Sequence, residues 1–189
     1  MSGNLEHLAA LSRLAATCAA ELDGPVRRYA QLVRETIAAG RTVFFAGNGG
    51  SAAHAQHVAA EYVVRFRPVA RRAVPVLALS TDSSLLTAAA NDLGFETIFA
   101  RQVEAHGRPG DLLVLLSTSG GSANLLRAAA AARAAGLRTV ALLAKGGGAL
   151  GKVVDHAVIV PTDDTALAQE IQLAIDHYVC SVVEPELAR

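Results

Sequence analysis

The sequence predicts an α/β protein, a three-layer sandwich around a five-stranded parallel sheet, with two extra helices at its N-terminus. Three observations lead there. Short apolar runs rich in Val, Leu and Ile alternate with segments of helical periodicity, and glycines bound most of the runs. Of the 189 residues, 52% are apolar, enough for a sizeable core in one domain. Strands buried on both faces read as continuous apolar runs, and right-handed βαβ crossovers then put helices on both sides of the sheet. A single domain over 1–189 is expected, with the extra helices in 1–39 and the α/β core in 40–189.

Leu5, Leu8, Leu11 and Leu14 recur at helical spacing and predict an amphipathic helix to about Leu22. Asp23-Gly24-Pro25 breaks it, and Pro25 suits the opening of a second helix that ends near Gly40. Strands are expected over 42–46, 74–79, 112–116, 139–143 and 157–160. Helices are expected over 53–64, over 85–105 in two pieces broken near Gly94, over 123–135 and over 165–186, with a short turn near Leu150. The first helix's leucine stripe lies outside what a five-stranded sheet needs for cover. The last helix is also apolar, with Ile171, Leu173, Ile175, Val179 and Val182. Monomers rarely leave such surface in water, so both helices are expected to pack on copies of the chain in a two-fold or 222 assembly.

Composition excludes several classes. Lys plus Arg and Asp plus Glu each number 17, and no run of five like charges occurs, so nothing electrostatic points to nucleic acid or a membrane surface. No apolar stretch of about 18 residues suits a membrane span. Residues 1–6 lack the basic start and apolar run of a signal peptide. Cys18 and Cys180 show no metal-type spacing and read as free thiols in a reducing compartment, which makes the cytoplasm the expected location.

In a parallel sheet a ligand sits beyond the carboxyl ends of the strands. The loop after the first strand reads Gly47-Asn48-Gly49-Gly50-Ser51. Glycines let the backbone approach an anion, and the following helix offers free N–H groups and a positive dipole end. A tight turn without a ligand is the plain alternative. Gly47-x-Gly49-x-x-Ala52 also meets the loose dinucleotide fingerprint, but only Asp82 stands near the place of the required acid, so no nucleotide cofactor is expected. The loop after the third strand reads Ser117-Thr118-Ser119-Gly120-Gly121-Ser122. Four hydroxyls are more than a helix cap uses, and hydroxyls with backbone amides bind phosphate without a cation. Gly146 to Val153 nearly spells a nucleotide phosphate loop but has Val153 where the hydroxyl should be, and reads as a flexible turn.

His57, Glu61 and Arg65 follow the first loop at successive i,i+4 spacings. A His and a Glu one turn apart can share a metal or divide acid–base work, whereas a Glu61–Arg65 salt bridge on a solvated face is the ordinary alternative. On the last helix Gln169, Leu173 and His177 share a face, and this His is as readily structural as catalytic.

Together these residues resemble the sugar isomerase (SIS) domain family, and within it the phosphoheptose isomerases. The likeness spans the chain through Gly47-Asn48-Gly49-Gly50-Ser51, Ala55-Gln56-His57-x-Ala59-Ala60-Glu61, Ala90-Asn91-Asp92-x-Gly94-Phe95, Ser117-Thr118-Ser119-Gly120-x-Ser122 and Gln169-Glu170 with His177. It departs at Leu167-Ala168, where the family usually has Arg-Ile, and at Gly121, often Asn. The resemblance implies a flavodoxin-like SIS fold and interconversion of sedoheptulose 7-phosphate and D-glycero-D-manno-heptose 7-phosphate. It implies that Ser51, Ser117, Thr118, Ser119 and Ser122 hold phosphate, with Asn48 and Gly49 beside them. Glu61 and His177 would be the acid–base pair, their two roles interchangeable at this stage, and Arg65, Asp92 and Gln169 would contact the sugar. It implies zinc on His57, Glu61, Gln169 and His177, and a homotetramer with sites at subunit boundaries; a shared site is expected to combine Glu61 of one chain with His177 of another. A related branch keeps the fold as a replication-initiator-associating binding module. Retention of Glu61 with His177 favours the enzyme.

Overall fold

A computed structural model describes residues 5–68 and 70–187, so part of the segment 1–6 lies outside the described residues. The two N-terminal helices are α1 (Glu6–Glu21) and α2 (Asp23–Ala38), parted only at Leu22. α2 starts before Pro25, which occupies its first turn, where a missing N–H costs no helical bond. The core then runs β1 (Val43–Gly47), α3 (Gly50–Val63), β2 (Val76–Ala78), α4 (Ser83–Leu93), α5 (Ala100–His106), β3 (Leu112–Leu116), α6 (Ala123–Ala134), β4 (Arg138–Leu143), β5 (His156–Ile159) and α7 (Thr165–Leu187). β2 is half the expected length because it is an edge strand, and its Leu77 faces solvent. The helical pattern over 85–105 breaks at Gly94 as expected.

The sheet order is β2-β1-β3-β4-β5, all parallel, with Val43 paired to Val76 on one side and Leu112 on the other. The order reverses between β1 and β3, so the crevice for a ligand opens above those two strands. Alternate strand residues feed two cores. Val43, Phe45, Val114, Val140 and Val158 meet α2, α3 and α7, while Phe44, Leu113, Leu115 and Ala141 meet α5 and α6.

This layering corrects part of the oligomer argument. α2 buries Tyr29, Leu32, Val33 and Ile37 against the chain's own sheet, and α7 likewise buries Ile171, Ile175 and Val179. Neither helix needs a symmetry mate for those faces. α1 rides outside, leaving Leu5 72% and Leu8 53% exposed, with His7 bonded to Glu170 at the start of α7. Among the described residues no helix is long and apolar enough to cross a membrane. Cys18 and Cys180 are both free and buried.

The glycine segment after β4 is no flexible turn. It forms two short 3-10 turns, 145–147 and 150–152, that buttress the serine loop. Leu150 donates its N–H to the Gly120 carbonyl at 2.8 Å. Gly120 has φ +62°, and a Cβ there would lie 2.1 Å from the Gly147 carbonyl oxygen. Gly120→Ala therefore combines left-handed backbone strain with a backbone clash, at about 3 kcal/mol or more. Thermal unfolding should show a Tm lowered by roughly 6–12 °C. Gly24→Ala, with nothing within 4 Å of the added carbon, should leave the Tm unchanged or raise it. Equal melting of wild type and Gly120→Ala would disprove the buttress.

Candidate active site

Both loops that follow β1 and β3 end on a helix. Gly49, at φ +55°, turns the chain into α3, and no side chain caps that helix. Ser51 is buried in the first turn. On the other loop the Ser117 hydroxyl accepts from the Gly120 N–H at 3.0 Å and Ser119 accepts from Gly121 at 3.3 Å. As acceptors in these turns, both hydroxyls keep their protons for an anion. Ser122 occupies the N-cap of α6 without making a side-chain cap bond.

The two loops are fastened to each other. Asn48 Nδ2 donates to Asn124 Oδ1 at 2.9 Å, and Asn124 Nδ2 returns the bond to Asn48 Oδ1 at 2.8 Å. Asn124 is buried in the first turn of α6. Asn48, expected at the substrate, thus spends one donor and one acceptor on structure.

Beyond the loops, α3 and α7 lie side by side and run the same way. A Cβ added at Gly50 would stand 2.9 Å from Gln169 Nε2, at the loop end of the pair. Two turns further on, His57 Nε2 and His177 Nε2 are 3.0 Å apart, and Glu61 Oε1 lies 3.6 Å from His57 Nε2. The Phe66 ring leans on His177 with centroids 5.5 Å apart. Between these contacts sits a buried seam. Tyr29 donates to Asp176 Oδ1 at 2.6 Å, and His54 Nε2 stands 2.8 Å from Asp176 Oδ2, without the alignment of a hydrogen bond. Burial and the neighbouring Asp176 push the Tyr29 hydroxyl well above its ordinary range, so it stays a proton donor.

Among the described residues no three or more His, Cys, Asp or Glu side chains stand together so as to hold a metal ion as they are. The chemistry of the set still fits a metal. Two imidazoles and a carboxylate are a catalytic zinc donor set, and nitrogens about 2.1 Å from a tetrahedral ion lie ~3.4 Å apart. The observed imidazole separation is close to that.

A profile of the SIS domain matches residues 6–144. The phosphoheptose isomerase of Akkermansia muciniphila is 48% identical over 168 residues, covering 89% of this chain and 88% of that protein. That of Trichlorobacter lovleyi is 46% identical over 96% of this chain and 90% of its own length. The chain belongs to the SIS domain family, among the phosphoheptose isomerases. The structure of the enzyme from Neisseria gonorrhoeae superposes on this SIS domain with a TM-score of 0.90 at 36% identity, covering 95% and 96% of the two chains.

Several expectations change within this SIS domain. Glu61 and His177 both reach His57 within one chain, so bringing these three together needs no second copy. The stripe stops short of Arg65 because α3 ends at Val63, and among the described residues Glu61 pairs with His57 rather than Arg65. Asp82 caps α4 by accepting from the Leu85 N–H at 2.9 Å, which uses the only acid considered for a dinucleotide. Asp92 sits on α4 in a groove with Arg101 and His106, bonded by its neighbour Asn91. Sequence reasoning missed Asn124, Phe66 and the His54–Asp176 seam. Asn124 had one signal, a polar residue in the first turn after a serine cap.

The Asn48–Asn124 pair generates a direct test. In Asn124→Ala, Asn48 loses both partners, and each unmet polar group costs about 1–3 kcal/mol where water cannot replace it. Urea unfolding should show the loss, and calorimetric titration with inorganic phosphate should show weaker binding. Unchanged phosphate affinity in a folded variant would mean the pair does not shape the anion site.

Proposed function

We propose that this chain isomerises sedoheptulose 7-phosphate to D-glycero-D-manno-heptose 7-phosphate, a step in heptose biosynthesis. The observation that carries the reading is the meeting of Glu61, His57 and His177 within one helix pair whose loop end carries the anion-binding loops. The relatives' names support the substrate. The binding-only alternative needs no such carboxylate–imidazole group.

The phosphate is held by Ser51, Ser117, Thr118, Ser119 and Ser122 with the first-turn amides of α3 and α6, their dipole ends facing the anion. Gln169, beside Gly50, contacts the sugar chain next to the phosphate. Glu61, half-buried, removes a proton from C1 of the ketose, and the C–H electron pair becomes the C1–C2 double bond of an enediol. The carbonyl oxygen at C2 takes a proton from His177. Glu61 then returns its proton to C2 while the C1 hydroxyl proton leaves to the imidazole, which completes the aldose and restores both groups. Arg65 contacts the sugar hydroxyls. His57, Glu61 and His177 would hold a zinc ion, which would supply a Lewis acid toward the sugar oxygens, whereas Gln169, two turns back along α7 beside Gly50, is left to the sugar.

The working protein is a homotetramer in the cytoplasm. Exposed Leu5 and Leu8 on α1 and the apolar groove of about 320 Å³ between α1 and α7 support a covered face. α4 buries only Ala89, which supports Asp92 serving a neighbouring chain's site. The two free thiols suit a reducing compartment.

Wild-type protein should convert sedoheptulose 7-phosphate, and Glu61→Gln should lower kcat by about a hundredfold or more while substrate still binds. Tight phosphate binding without turnover would leave the binding-module reading standing. Native mass spectrometry of protein prepared without chelator should show four chains with one zinc each. Full activity in a metal-free preparation would remove the metal, and an active monomer would remove the assembly.

A further inference from the structure

We propose that Glu184 is a positioning residue of this site: its carboxylate holds the chain beyond α3 so that the Phe66 ring stays against the His177 imidazole. Its meaning for turnover rests on the isomerase reading, and its placement rests on geometry alone.

Glu184 stands seven residues after His177, so two helical turns bring both to the same side of α7. Its Oε1 accepts from the Phe66 N–H at 2.8 Å and from Arg71 Nε at 2.9 Å, and its Oε2 accepts from the Arg67 N–H at 2.9 Å. Arg71 Nη2 also donates to the Glu61 carbonyl at 2.6 Å. The Arg71 and Glu184 side chains are only 1% and 5% exposed. One buried carboxylate thereby joins the last turn of α3, the residues just past its end and the second half of α7. Burial by itself would raise the Glu184 carboxyl, but Arg71 and the two amides outweigh it and hold it below the ordinary range, so it remains charged.

A buried ion pair is a poor source of stability, since the desolvation of both charges offsets most of their attraction. What it supplies is direction. A carboxylate gripping two successive amides fixes the backbone there, and the Phe66 side chain inherits that fix. His177 then has two ring neighbours, His57 with centroids 5.2 Å apart and Phe66 at 5.5 Å. A proton-transferring group must be held within about 10–20° of its productive orientation. The two rings supply that hold.

Glu184→Gln keeps the shape, but its amide nitrogen cannot accept, so at least one of the three donors loses its partner. NMR of the chelated, folded protein reads the His177 ring protons, which the Phe66 ring current displaces. Glu184→Gln should move these signals toward their positions in Phe66→Ala, and the double variant should match Phe66→Ala. With sedoheptulose 7-phosphate, each single variant should lose roughly tenfold in kcat. The double variant should be no slower than the slower single, because Glu184 acts through Phe66. Unmoved His177 signals in folded Glu184→Gln, or kcat losses that multiply, overturn the proposal. Should Glu184→Gln not fold, Phe66→Ala decides: normal kcat with unmoved His177 signals overturns it as well. An inactive wild type with the NMR shifts intact would sink the isomerase reading and leave the placement of Glu184 supported.

Discussion

The contact between α3 and α7 is what the rest of the site depends on. Two neighbouring helices pointing the same way place like dipole ends together, so the arrangement needs other support. The sheet supplies it from below through Ala55, Val58, Ile171 and Val179, all buried in one core. The seam of Tyr29, His54 and Asp176 supplies it at the middle of the pair. Because the helices run in step, residues far apart in sequence meet at matched heights: Gln169 at Gly50, His177 at His57, Glu184 beyond the end of α3. A slip of one residue along α7 would turn every one of these side chains by about 100°.

The anion end is organised by a different principle. There the side chains are small and chain is packed against chain. The 3-10 turns after β4 press on Ser119 and Gly120, and the asparagine pair ties the loop after β1 to the helix start after β3, where the strand order reverses. Phosphate recognition by amides and hydroxyls needs no basic side chain, which agrees with a chain whose positive and negative charges balance.

The sheet, its five strands and the helices were legible because buried parallel strands leave continuous apolar runs, and Gly40 and Gly94 mark breaks. The serine loop was legible because four hydroxyls in six residues exceed any capping need. The resemblance supplied what spacing alone left open at His57 and His177. Two things were not legible. That α7 folds back on its own sheet is a matter of layer geometry, and an apolar helix reads the same whether it covers its own chain or another. Asp176 and Glu184 look like ordinary surface acids in sequence. Their burial follows from partners at Tyr29, His54 and Arg71, more than a hundred residues away.

Cys180 lies one turn beyond His177, yet burial pushes its thiol up to about 12. Cys18 is raised as well, again chiefly by burial. Thiolate is the reactive form, so both sulfurs react more slowly with alkylating reagents than an exposed thiol does. A single cysteine introduced on exposed α4 would be labelled ahead of them, and distances between labels on assembled chains could be measured without first replacing the natural thiols.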